Sequence, residues 1–275
     1  MAFSVNTNAG AFIALQNLNK INSAIEVTQK RISTGLKVSS AKDDGATFAI
    51  AQDLRGDIAG LNAATNSIDR ASSELDVALA AGEAVSDLLI ELKEKAVAAK
   101  DTGLDTASRD ALNDDFKELR DQITSIVENA DFNGVNAVKS GGSAITAITN
   151  DDGSNTITVA AQDLSLSGAN VTLTTLQSIG TATLASAAVT SVSVSAANVT
   201  ASLAKFGAGS ERLSIQKTFV GKLSDTIQVG IGNLVDANLA EEAANLTAQQ
   251  VQQQLGLEAL SIANATPGRV LSLFS

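Results

Sequence analysis

Between residues 31 and 51 the chain reads "RISTGLKVSSAKDDGATFAIA", where Lys42, Asp43 and Asp44 stand together between Gly35 and Gly45. A lysine beside two carboxylates is a minimal acid/base set, able to hold a proton on one group while another stabilises the developing charge. The same residues also make a joint. Glycines let a chain change direction, and Ser33, Ser39 and Ser40 can satisfy backbone groups left loose at a helix end. Charge clusters are more often structural or solvated than catalytic, so the surrounding elements must decide between the two readings.

Composition excludes most chemistry first. The 275 residues contain no Cys and no His, so disulfides, thiolate or imidazole metal sites, cysteine nucleophiles and histidine triads cannot exist. A formal net charge of −11 argues against a nucleic-acid partner, which needs a basic face. Aromatics are 3% of the chain, and the apolar residues are mainly Ala, Val, Leu and Ile, which suits long helices in close backbone contact. The first twenty residues lack the basic region and long apolar core of a cleavable secretory signal, and no apolar run approaches a membrane span. No cofactor and no metal site is expected.

The fold class expected from the pattern is mainly α, a long coiled-coil-like helical bundle with a small β-hairpin region in the middle. Leu61, Ala64, Ile68, Ala71, Leu75, Ala78, Gly82, Val85, Leu89, Leu92, Ala96 and Ala99 alternate by threes and fours, a heptad seam on a helix that starts near residue 45 or 57 and ends at 99. Gly103 supplies a turn, Thr106 or Ser108 caps the next helix, and Leu112, Phe116, Leu119, Ile123 and Ile126 carry it to the turn at Asn133-Gly134. Residues 140–204 contain no Lys or Arg; "SAITAITNDDGSNTITVAA" alternates around Asp-Gly as a hairpin would, and "LSLSGANVTL" alternates again. Beyond Leu184 strand propensity competes with a three-four step through Val189, Val192, Ala196, Val199, Leu203 and Phe206, and the longer-lived helical period predicts a helix.

The two ends carry matching apolar stripes: Leu18, Ile21, Ile25 and Ile32 at the start, and Leu239, Leu246, Leu255, Ile262, Leu271, Leu273 and Phe274 at the finish. Their charges are complementary, net +4 over residues 1–42 and −3 over residues 236–275. Neither end should fold by itself. Ordering a residue costs about 1–2 kcal/mol in backbone entropy, and a handful of buried Leu and Ile at about 1.5–3 kcal/mol each cannot offset some forty of them. Both ends are expected to stay disordered until they dock.

With these elements in place, the chain resembles bacterial flagellin. The resemblance is carried by "RISTGLKVSSAKDDGATFAIA", by "DFNGV" after the second helix, and by "NLVDANLAEEAANLTAQQVQQQLGLEALSIANATPGRVLSLF" at the end, all in order. It implies a structural subunit, not an enzyme, that polymerises as a homopolymer into the extracellular flagellar filament. It also implies export, unfolded and uncleaved, through the flagellar type III apparatus, with an export chaperone and with hook-associated and cap proteins as further partners. On this reading residues 1–44 and 236–275 form the inner helical domain and connector. Residues 45–138 and 184–235 form the helical bundle, and 139–183 a small β-rich surface segment. Gly35, Lys42, Asp43, Asp44 and Gly45 become a connector with contacts to neighbouring subunits.

Flagellins resemble one another at the patch sensed by the flagellin-specific Toll-like receptor, where an Arg and, four residues on, a Leu precede an Ala-Val pair. Here Glu91 and Lys95 of "LIELKEKAV" occupy those positions, which implies weakened receptor activation. The sequons at Asn170, Asn198 and Asn245 recur by chance in a Thr-rich chain; O-glycosylation of the central segment fits the resemblance better. A hook-filament junction protein would share the terminal design but tends to carry a Pro in the Asp-Asp motif, and the one Pro here is Pro267. A secreted coiled-coil translocator or adhesin has no need of complementary ends. The zinc peptidase inserted in some flagellins requires His.

Overall fold

The computed structural model describes residues 7–271. In chain order the elements are helix α1 (Ala9–Thr34), α2 (Gly45–Ala99), α3 (Thr106–Asn129), strands β1 (Ile145–Ile148) and β2 (Thr156–Val159), α4 (Ala182–Val235) and α5 (Leu239–Leu271). They divide into two compact units. One comprises residues 1–56 and 226–275, the other residues 57–225.

The 57–225 unit is built on the heptad seam of α2. Every seam position from Leu61 to Ala99 is buried, with Ile68, Leu75, Leu89 and Leu92 excluded from solvent altogether. The antiparallel partner is α4. Leu75 and Gly82 meet it where Gly209 and Leu203 stand, and Lys217 reaches Asp69 at 2.6 Å. Small residues permit this approach: a Cβ on Gly82 would come within 2.7 Å of Leu203, and one on Gly209 within 2.8 Å of Val159.

On α4 the three-four step holds, but its phase differs from the expected one. Ala185, Ala188, Val192, Ser195, Val199, Ser202, Phe206, Gly209 and Leu213 are buried, while Val189, Ala196 and Leu203 sit half-buried on the flank. Two serines can occupy a core seam because each hydroxyl donates back into its own helix, Ser195 to the Ser191 carbonyl at 2.8 Å and Ser202 to the Asn198 carbonyl at 3.0 Å. A stretch of α4 has a mean hydropathy of 1.3, long and apolar enough by length and composition to cross a membrane, contrary to the expectation that no run approaches that length.

α2 ends where Arg109 donates to the carbonyls of Ala99 (3.1 Å) and Asp101 (2.7 Å), a cation at a helix C-terminus. The cap of α3 is neither Thr106 nor Ser108 but Asp105, whose carboxylate accepts from the Ser108 N–H at 2.7 Å; the Ser108 hydroxyl, with this N–H, lowers its pKa. Beyond α3, Asn133 and Gly134 both have positive φ, 53° and 83°, and the backbones of Phe132 and Val135 exchange two 3.0 Å hydrogen bonds around them. This is the tight turn that Asn-Gly favours.

β1 and β2 pair antiparallel with Ile145 opposite Val159, as the alternation around Asp-Gly predicts. The second alternating stretch, "LSLSGANVTL", buries Leu164, Val171 and Leu173 yet forms only a bridge between Leu166 and Val171. Asp163 draws it out of an extended path. Its carboxylate accepts from the N–H and hydroxyl of Ser165, its carbonyl accepts from the Asn170 amide, and Ser167 takes φ 63°.

In the other unit α1 and α5 pair antiparallel. Asn8 donates to the Ala263 carbonyl at 2.8 Å, the Gln253 amide donates to Asn22 at 2.7 Å, and Arg31 meets Glu242 at 2.9 Å. The ends are thus helical and paired within one chain, where disorder is expected from their sequences alone. The pairing face of α1 is the expected stripe, Leu18 and Ile25 buried, Ile21 and Ile32 half-buried. That of α5 matches the expected stripe at Leu246 alone, which is half-buried with Gln249, Gln253, Gly256, Leu260 and Ala263, whereas Leu239, Leu255 and Ile262 are exposed. Leu271 closes α5; Leu273 and Phe274 lie outside the described residues.

Candidate functional site

The Lys-Asp-Asp cluster lies in the connector between α1 and α2, and each part of it has a local task. α1 stops at Gly35, whose φ of 70° is the left-handed conformation that glycine tolerates and whose N–H returns to the Arg31 carbonyl at 2.9 Å. Asp44 caps α2. Its carboxylate accepts from the N–H groups of Ala46 (3.0 Å) and Thr47 (3.1 Å) and from the Thr47 hydroxyl (2.7 Å), so Gly45 can begin the helix.

Asp43 gathers the loop onto α1. Its carboxylate accepts from Lys30 at 3.0 Å and from the N–H and hydroxyl groups of both Ser39 and Ser40 at 2.9–3.1 Å. The Lys30 hydrogen bond, reinforced by those of the serines, holds this carboxyl far below the usual carboxylate range; Thr47 depresses Asp44 in the same way. Groups so committed to the ionised form are poor proton acceptors, which removes the acid/base reading. Lys42 is exposed and forms no hydrogen bond or ion pair with Asp43 or Asp44, so the cluster is not the single constellation that its adjacency suggests.

The sequence gives no sign that this connector binds a second one. The Lys37 and Val38 N–H groups donate to the Val235 carbonyl at 2.7 and 3.2 Å, and the Ala237 N–H donates to the Gly35 carbonyl at 2.9 Å. Leu36 and Asp236 thereby form an antiparallel bridge, with Val38 and Val235 buried beside it. The α1–α2 and α4–α5 joints are fastened to each other. An open cleft of about 700 Å³ adjoins them, lined by Leu36, Arg55, Val229, Asp236 and Asn238. Its one cation and one carboxylate have no nucleophile beside them.

Three further features complete the site. Glu242 is buried at the α1–α5 seam and is paired by Arg31, which realises the opposite charges of the two ends. Large apolar side chains remain exposed on both end helices, Phe12, Ile13, Leu15 and Val27 on α1 and Val251, Leu255, Leu257 and Ile262 on α5. In the 57–225 unit Glu91 is exposed on α2, and Lys95 is tied to Asp115 of α3 at 2.7 Å, a hydrogen bond that raises the lysine pKa.

Comparison with known proteins fixes the family to which such paired ends belong. The N-terminal helical region of bacterial flagellin matches residues 5–140, and its C-terminal helical region matches residues 189–274. The chain is a bacterial flagellin. It is 48% identical to flagellin FljK of Caulobacter vibrioides over 271 residues, 98% of each chain, and 34% identical to flagellin C of Rhizobium meliloti, covering 98% of this chain and 99% of that one. The crystal structure of Bacillus cereus flagellin shares the fold, with a TM-score of 0.50 at 21% identity over 56% of this chain and 88% of that one. Flagellin is a structural family, so this chain is a subunit of the filament and not an enzyme. The segment between the two matched regions holds the β-hairpin and the Asp163 turn.

Proposed function

We propose that this flagellin enters the extracellular filament through its paired ends, and that the pair becomes ordered as it does so. The observation that carries this reading is the contrast within α1 and α5. Only Leu18, Ile25 and Thr28 are buried on α1, while a row of large apolar side chains stays in water. Exposed apolar surface of that extent marks an interaction site. Leu255 and Ile262 then belong to contacts between subunits, and the same role is proposed from the sequence for Leu271, Leu273 and Phe274.

In this reading residues 1–44 and 236–275 form the inner layer, 45–138 and 184–235 the bundle, and 139–183 the outer surface. Gly35, Asp43, Asp44 and Gly45 set the geometry of the connector, and Lys42 is its group available to a neighbouring subunit. Secretion proceeds through the flagellar type III export apparatus, with an export chaperone before assembly and hook-associated and cap proteins at the filament's ends. Glu91 and the ion-paired Lys95 replace the cation and the apolar contact of the receptor patch, and activation of the flagellin-specific Toll-like receptor is weak; E91R with K95L should raise it, and unchanged signalling would count against this part.

The test of assembly is seeded polymerisation followed by electron microscopy. The intact chain elongates filament seeds, and a chain lacking residues 256–275 does not. Equal growth by the truncated chain would remove the end pair from the mechanism.

A further inference from the structure

In the 57–225 unit the two long helices carry opposite charge. The α2 portion, residues 57–99, holds eight acids against three bases, and between Arg70 and Lys93 it has no base at all. The α4 portion from Ala182 to Lys222 holds four bases and a single acid, Glu211. Much of this charge has no counter-ion inside the unit. Asp76, Glu83, Asp87 and Glu91 are exposed on α2 and form no ion pair among the described residues.

Two basic groups of α4 share one cleft. Lys205 and Arg212 of α4 line an open cleft of about 290 Å³ with residues 158–160, Gln162 and Gly209. Lys205 donates to the neutral Gln162 amide oxygen at 2.9 Å, and Arg212 has no ion pair among the described residues. Glu211 is the residue next to Arg212, about 100° further round the helix. Lys217, by contrast, lies on the other flank of the Phe206–Leu213 seam and is consumed by Asp69.

We infer that this cleft is a docking surface for a second copy of the chain, and that its occupant is the acidic outer face of α2. Spacing supports the match. Lys205 and Arg212 are seven residues apart, as are Asp76 and Glu83, so both pairs present charges about 10.5 Å apart along one helix face. The two surfaces are different patches of the same unit, so the contact is heterologous, and heterologous contacts that do not close on themselves build open filaments. Complementary charge of this kind selects register and partner more than it adds affinity. The inference rests on the filament reading above and specifies one of its subunit contacts.

Charge reversal in both directions tests it. K205E/R212E and D76K/E83K are made separately, checked for unchanged helical content and thermal midpoint, and added to wild-type seeds. Each variant alone should elongate at least about tenfold more slowly than wild type, because like charges then face each other. An equimolar mixture of the two should elongate again, since each supplies the charge that the other lacks. Wild-type rates for either variant alone, or a mixture as inert as its components, would overturn the assignment of this partner. Failure of the unaltered chain to elongate seeds would overturn the filament reading instead, and this contact with it.

Discussion

The two units bury their helices in different ways. In the 57–225 unit the α2 seam and its α4 counterpart are closed to solvent position after position, with Phe116 and Phe206 fully enclosed. In the other unit α1 and α5 run antiparallel but join through a narrow stripe, a half-buried Arg31 bonded to the buried Glu242, and amide contacts such as Gln253 to Asn22. Both are paired amphipathic helices. Each unit leaves some large apolar side chains in water, Leu176, Ile215 and Phe219 in the first and Phe12, Leu255 and Ile262 in the second, but the first closes a continuous seam within one chain and the second buries only a narrow stripe.

The sharpest way to break this contrast is to make the same kind of truncation in each unit. Phe206→Ala should cost about 3–5 kcal/mol of stability in urea unfolding, the range for an enclosed aromatic whose loss leaves a cavity. Leu18→Ala should leave the main unfolding transition in place and instead suppress seeded growth. A large stability loss from Leu18→Ala would show that the end pair is as finished as the bundle.

Close packing gives the next effect. Gly→Ala inside a helix ordinarily stabilises by up to about 1 kcal/mol. At Gly209 the new methyl would meet both Val159 methyls, at 2.8 and 3.0 Å, so Gly209→Ala should destabilise by about 1–3 kcal/mol. Gly221, with open space around its position, serves as the control and should show the ordinary gain. A gain at Gly209 would mean that the hairpin yields easily.

Removing Arg31 strands a buried carboxylate. Arg31→Ala should weaken the end pair by about 1–2 kcal/mol, seen as faster proteolysis within α5, and Arg31→Ala with Glu242→Gln should recover most of it.

Acid should separate the units with small effects of opposite sign. Asp43 has a depressed pKa, so its contribution is present above the ordinary value of 3.8 and is lost as pH falls towards the folded value; Asp43→Asn abolishes that loss. Glu74, on α2, has its pKa raised above 4.5 by burial, Arg70 opposing only in part. Its cost is therefore present at neutral pH and disappears below about 4.5, and Glu74→Gln should stabilise the bundle at pH 7 but not at pH 4. Thermal midpoints between pH 7 and pH 4 read Glu74, and connector proteolysis between pH 4 and pH 2, with an acid-tolerant protease, reads Asp43.

The contrast also explains what was legible in the sequence. The α2 seam could be read residue by residue because its buried positions are apolar or small throughout. The α4 helix was legible in type but not in phase, because Ser195, Ser202 and Gly209 occupy buried positions where hydrophobicity gives no signal; hydroxyls bonded into their own helix and a glycine at a close approach look like surface residues. On α5 hydrophobicity marks Leu255 and Ile262, which are exposed, whereas Gln253 and Gly256 meet α1 at Asn22 and Leu18. An amide or glycine packs well in a narrow seam, and leucines that face outward are intended for something else. The connector was recognisable as a joint, but the tasks of Asp43 and Asp44 depend on which N–H groups the fold brings to them. The fastening of Leu36 to Asp236 spans two hundred residues and leaves no local trace.

Amide hydrogen exchange on the monomer and on the assembled filament tests the central claim most directly. The account predicts that amides of residues 61–99 are strongly protected in both states, while those of 9–34 and 239–271 exchange rapidly in the monomer and become protected in the filament. End helices already protected in the monomer to the level of α2 would contradict it, because the pair would then be complete before any neighbour arrived.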